Sequence, residues 1–113
     1  MTQSELYHTL ALMQVEGVGD VIAKKLIQHC GNAIEVFASK KSQLQKIDGI
    51  GSVLIKNLQD ESVFKKAEAE LQFIAQENIF TTYFQEDNYP ERLKHCYDSP
   101  VLLFQAGNID LQN

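Results

Sequence analysis

Apolar residues recur at helical spacing along the first two thirds of the chain, and the period changes after residue 78. Leu6, Leu10 and Met13 mark the inner face of a first helix that Ser4 caps and that runs to about Met13. A second helix starts at Asp20 and stops at Cys30-Gly31, where glycine suits a left-handed C-cap. Asn32 then caps a short helix from Ala33 to Ala38, with Ile34 and Phe37 facing inward. After the polar break Ser39-Lys40-Lys41-Ser42, residues 43–47 make one more helical turn, and a further helix runs from Ser52 to about Leu58. Asp60-Glu61-Ser62 opens a longer helix with Val63, Phe64, Ala67, Leu71, Ile74 and Ala75 on one stripe. Residues 79–84 are β-branched and aromatic and predict a strand. Pro90 sits at the first position of a short helix through about His95, and the apolar run Val101-Leu102-Leu103-Phe104 reads as a strand buried on both faces.

Within this pattern one phrase occurs twice. Residues 15–26, containing Gly17-Val18-Gly19, return as residues 47–58, containing Gly49-Ile50-Gly51. Position by position the chemistry agrees: apolar, acidic, Gly, β-branched, Gly, a small polar residue (Asp20 or Ser52), three apolar residues, Lys, and Leu two places on. Such a repeat constrains the fold more than any single residue does. Glycine takes positive φ without a steric penalty, so Gly-X-Gly reverses the chain in few atoms, and the residue between plugs the turn into a core. Asp20 and Ser52 are good N-cap types. The first N–H groups of each following helix lack intrahelical partners and carry partial positive charge, so such a terminus can accept a phosphate. Two helices joined in this way resemble a helix-hairpin-helix unit, a family that grips nucleic-acid backbone without reading sequence.

Size and charge bound the possibilities. The chain has 113 residues, 44% of them apolar, enough for one cored domain or a domain plus a fragment. No apolar run approaches membrane-spanning length and the first residues lack a basic signal-peptide start, so a cytoplasmic setting and no membrane partner are expected. The net charge of −5 argues against a strong nucleic-acid binder. Its distribution softens that conclusion: residues 14–60 hold six Lys against five acids, and the acid excess lies elsewhere.

The ending narrows the reading. Asp87-Asn88-Tyr89-Pro90-Glu91-Arg92-Leu93, then residues 98–104 and Gly107, resemble the D-x-x-YP-x-x-L … DxP-x-x-LF-x-x-G lead-in of the DNA-processing protein A family, DprA or Smf. Ser99 stands where that family often has Pro. The resemblance covers Leu6 to Gly107. It implies a helical domain of sterile-alpha-motif or helix-hairpin-helix type over residues 1–77, and the opening strand–helix–strand of a Rossmann-like domain over residues 78–113. The expected fold is therefore mainly α, a helical bundle with two hairpin turns followed by the start of an α/β domain, and the chain reads as the opening piece of a longer protein. The resemblance also implies a role in natural transformation or competence: binding and protecting single-stranded DNA and loading the recombinase RecA, with the main DNA pocket beyond Asn113. It implies no catalytic residue and no cofactor.

Candidate phosphate contacts are Gly17, Val18, Gly19, Gly49, Ile50, Gly51 and Ser52 at the turns, with Lys24, Lys25 and Lys56 beside them. The alternative is that both phrases are structural turns. DNA-gripping hairpins carry a basic residue just after the second glycine, whereas Asp20-Val21 and Ser52-Val53 stand here, and Glu16, Asp20 and Asp48 repel phosphate. That balance favours a positioning or partner-contact module with weak DNA affinity at most; a pure interaction or self-association module and a DNA-repair accessory domain are the rivals. His29-Cys30 and His95-Cys96 lack the four locally spaced ligands of structural zinc, so no metal is expected. Tyr89 and Arg92 could be site residues, but anchoring a turn against the sheet is the expected duty. Phe80, Tyr83 and Phe84 could stack on bases, although strand alternation sends about half of them to the core.

Overall fold

The computed structural model describes residues 1–96 and 98–105; Gly107, the last position of the DprA-like phrase, lies outside the described residues. The chain is mainly helical, with seven helices and two strands among those residues: α1 Gln3–Gln14, α2 Asp20–Cys30, α3 Ala33–Ala38, α4 Lys41–Leu44, α5 Ser52–Asn57, α6 Ser62–Gln76, β1 Phe80–Tyr83, α7 Glu91–Lys94 and β2 Leu102–Gln105. No described helix is long and apolar enough to cross a membrane.

Helix starts differ from expectation in informative ways. Thr2, not Ser4, caps α1, because Thr2 and Glu5 form a reciprocal capping box in which the Glu5 N–H donates to Thr2 Oγ1 at 3.1 Å. Asn32 caps α3 as its type suggests, accepting from the Glu35 N–H at 2.9 Å. The N-caps of α2 and α5 are Gly19 and Gly51, with Asp20 and Ser52 as the first helical residues, and neither helix has a side-chain cap. Asp20 is diverted by tertiary structure: its Oδ1 accepts the Val101 N–H at 3.0 Å. On α3 the buried positions are Ala33 and Val36, with Ile34 and Phe37 half-buried.

Leu10, Ala11 and Leu12 of α1, Leu26 and Ile27 of α2, Val36 of α3 and Val63 and Ala67 of α6 form the centre of one apolar core. At its margin Tyr7, His8, Phe37 and Phe64 make an aromatic cluster, the last two with ring centroids 4.9 Å apart. Tyr83, Val101 and Leu102 join the same core, so the strand segment buries its apolar side on the helices.

The two strands pair antiparallel, with Phe80 opposite Gln105 and Tyr83 opposite Leu102. Neighbouring strands of a doubly wound sheet run parallel and need a crossover helix; α7, with four residues, is a single turn and brings the chain back beside β1 in the opposite direction. The expectation that residues 101–104 are buried on both faces fails for the same reason. A two-stranded ribbon covers one side only, and Phe104 is 51% exposed. The connection is pinned from inside: Tyr89 is buried and its hydroxyl donates to the Pro100 carbonyl at 2.7 Å, the anchoring duty its position suggested.

Candidate nucleic-acid interface

Each glycine phrase folds as a tight turn followed at once by a helix. In the first, the Val18 N–H donates to the Val15 carbonyl at 3.0 Å and Gly17 has φ +90°. In the second, the Ile50 N–H donates to the Ile47 carbonyl at 3.1 Å and Gly49 has φ +88°. A four-residue turn with positive φ only at its third position is type II, which favours glycine there. The first glycine of each pair therefore supplies the left-handed conformation. Gly19 and Gly51 are extended, at φ −100° and −94°, and need no such freedom. Val18 and Ile50 are buried at 7% and 6% exposure and plug the turns into the core.

The two phrases also meet. Lys25 Nζ donates to the Asp48 carbonyl at 3.1 Å, and Asn57 Nδ2 donates to the Glu16 carbonyl at 3.0 Å. In the repeat, Asn57 occupies the place of Lys25, and Glu16 the place of Asp48. Each helix thus reaches the turn of the other copy through the same position, the reciprocity that characterises a two-fold interface. The duplicated sequence has become a duplicated structure with an internal pseudo-two-fold.

The structure distributes the predicted residues unequally. Gly17, Val18 and Gly19 lie in one turn and Gly49, Ile50, Gly51 and Ser52 in the other, the two held side by side. Lys25 is spent on the Asp48 carbonyl. Lys24 leaves the turns altogether: it is 8% exposed, and its Nζ sits 2.8 Å from Ser99 Oγ and 3.4 Å from the Cys96 carbonyl. Ser99, at a position where the family resemblance expects Pro, is the hydroxyl that receives it. Lys56 alone of the three is exposed, and it lies one turn after Ser52 on the same face of α5. The α5 turn therefore joins a neutral first residue, uncapped N–H groups and an exposed cation. The α2 turn carries two acids, Glu16 and Asp20, where the α5 turn carries Asp48 alone, and it has its lysines engaged. Val53, 71% exposed beside Ser52, stands where a backbone-gripping hairpin would present a base.

Asn57 and Ser99 are the contacts the residue pattern did not single out. Asn57 was visible as a break in the repeat, one of two helical positions, with Ser52, where the copies differ in charge. Nothing local marked Ser99, whose partner is 75 residues away. Cys30 is half-buried near Ser39 and Cys96 is exposed, both as free thiols. Among the described residues no three His, Cys, Asp or Glu side chains gather closely enough to hold a metal ion.

Comparison with known proteins finds similarity to Protein Smf of Synechocystis sp. (strain ATCC 27184 / PCC 6803 / Kazusa), 26% identical over 110 residues. The aligned region takes in 97% of this chain but 28% of that relative, so the chain spans little more than a quarter of its length. No protein-family model matches the chain. No solved structure matches it. The aligned region takes in the helices and the strand segment alike.

Proposed function

We propose that this chain is the N-terminal part of a cytoplasmic DNA-processing protein of the DprA/Smf type, which binds single-stranded DNA and helps load RecA in natural transformation. In this reading residues 1–77 are a helical domain of helix-hairpin-helix character and residues 78–113 open a Rossmann-like domain, the antiparallel β1–β2 pair lying ahead of its parallel sheet. The region itself has no catalytic role. It positions the rest of the protein and contacts partners, and it touches DNA weakly, through the α5 turn at Gly49, Ile50, Gly51, Ser52 and Lys56. The reading is carried by the Smf similarity along nearly the whole chain. Lys24 lies away from the glycine turns and Lys25 is engaged within the fold, which supports weak rather than strong DNA affinity at those turns.

Fluorescence anisotropy of a labelled single-stranded oligonucleotide across a salt series tests it. Expected is binding in the non-specific range, about 10⁻⁴–10⁻⁶ M, that fades as salt rises. Replacing Lys56 with Ala reduces the slope of log K against log salt by about 0.7, the loss of one phosphate contact on a single strand. No binding at low salt sinks the DNA contact and leaves a protein-interaction module, a reading that the exposed Val53 favours. Capture of purified RecA by the chain, weakened by Val53→Asp, would then identify the contact surface.

A further inference from the structure

We infer that the cleft between α2, the end of β1 and α7 is a phosphoryl-binding site, taking the phosphate of a nucleotide or of single-stranded nucleic acid, with Lys24 at its floor. The cleft has a volume of about 700 Å³. Its walls include Lys24, Lys25, Lys94 and His95 together with Phe84, and among the described residues none that lines it is Asp or Glu. Three lysines on one cleft without a carboxylate among its described lining residues are unexpected in a chain of net charge −5.

Lys24 is the observation that points to a ligand. Burying an ammonium is costly unless an anion lies beside it. Here the partners are neutral: the Ser99 hydroxyl, the Cys96 carbonyl, and the ring of Phe84 with its centroid 5.8 Å from Nζ. Among the described residues no carboxylate oxygen lies within 4.0 Å of that nitrogen. Asp20, one turn earlier on α2, uses Oδ1 on the Val101 N–H. Lys94 has Glu91 at 3.5 Å, but that carboxylate is 77% exposed, and a surface pair of this kind neutralises little. The charge of Lys24 is thus left for something that enters the cleft.

Shape and donor number indicate the class. A lone carboxylate offers only two oxygens and would meet few of the donors. A phosphoryl group offers several oxygens, which can accept charge-assisted hydrogen bonds from more than one of the donors Lys24, Lys94 and His95 that line the cleft. Phe84, half-buried on the same wall, presents a ring against which a base attached to that phosphate can stack. The site stands on the cleft alone and does not depend on DNA contact at the glycine turns.

The test is titration of the 113-residue chain with inorganic phosphate, thymidine monophosphate and a thymidylate dodecamer, each at ionic strength matched with chloride. Binding is read from backbone amide NMR shifts and from melting temperature. Expected are saturable shifts centred on Lys24, Phe84, Lys94 and His95, with a rise in melting temperature. The double variant Lys94→Gln/His95→Gln, altered only at exposed positions, keeps the fold and binds about tenfold more weakly or worse. Lys24→Met abolishes the response, and the exposed double variant carries the test if that protein does not fold. A dodecamer that outbinds free phosphate identifies nucleic acid as the source; equal binding of phosphate and monophosphate identifies a small phosphorylated molecule. No saturable shift with any of the three overturns the site. So does an unchanged response in the double variant, a stronger response to acetate than to phosphate, or shifts confined to the turns at Gly17 and Gly49.

Discussion

Adding one methyl group at Gly17 separates the two glycines of the phrase more sharply than any larger change. At φ +90° an L-residue meets its own carbonyl, at a cost of about 1–2 kcal/mol. The new Cβ would also lie 3.0 Å from Leu54 Cδ1, and that half-buried side chain must move, adding about 1 kcal/mol of crowding. Gly17→Ala is therefore expected to lose about 2–3 kcal/mol. Gly49→Ala, at φ +88°, meets only the tip of Lys25 at 3.2 Å, which can swing aside by giving up its bond to Asp48; about 1.5–2.5 kcal/mol follows. At Gly19 and Gly51 nothing lies within 4 Å of the added carbon, and the backbone there suits any residue. Alanine is a clearly poorer N-cap than glycine, by about 0.5–1 kcal/mol, but it restricts the unfolded chain by a similar amount, so these two changes stay within about 0.5 kcal/mol of the parent. Urea unfolding followed by far-UV circular dichroism reads all four, with a constant m-value certifying the comparison. The Gly17 variant should also melt roughly 10–20 °C lower. Equal losses at Gly17 and Gly19, or the reverse order, would refute the assignment of the left-handed conformation to the first glycine of each pair.

Two further predictions concern the fold. Lys25→Met and Asn57→Ala each remove one of the reciprocal hydrogen bonds between the repeats and should each cost about 0.5–1.5 kcal/mol in the same urea assay; a loss at one and none at the other would break the pseudo-symmetry. Tyr83 gives a pH signature, because burial of its phenol pushes the pKa from 10.0 up to about 12. Below pH 10 both folded and unfolded phenols are protonated and that stability is intact; between pH 10 and 12 the unfolded chain releases the proton first, so stability falls, by about 2–3 kcal/mol over that window. Tyr83→Phe should remove that part of the alkaline loss, and identical alkaline limbs in the two proteins would show that Tyr83 does not titrate as described.

The helices, their order and the doubled glycine turn were legible because they rest on interactions that span a few residues: apolar spacing, caps and the freedom of glycine. The Thr2–Glu5 capping box was missed, because Ser4, a cap type two residues on, competes for the same helix start. Which glycine of each pair takes positive φ was not, since both are chemically able and the choice depends on Val18 and Ile50 finding the core. Strand direction was equally hidden: an apolar run carries no mark of which way its neighbour runs, and only the packing of Tyr83, Val101 and Leu102 on the helices decides it. The lysines make the same point most plainly. Lys24, Lys25 and Lys56 are one residue type in one repeated phrase, yet one is buried against Ser99, one bridges the turns and one is exposed. A long flexible side chain takes its role from whatever the distant chain brings within reach, and that is set by tertiary structure alone.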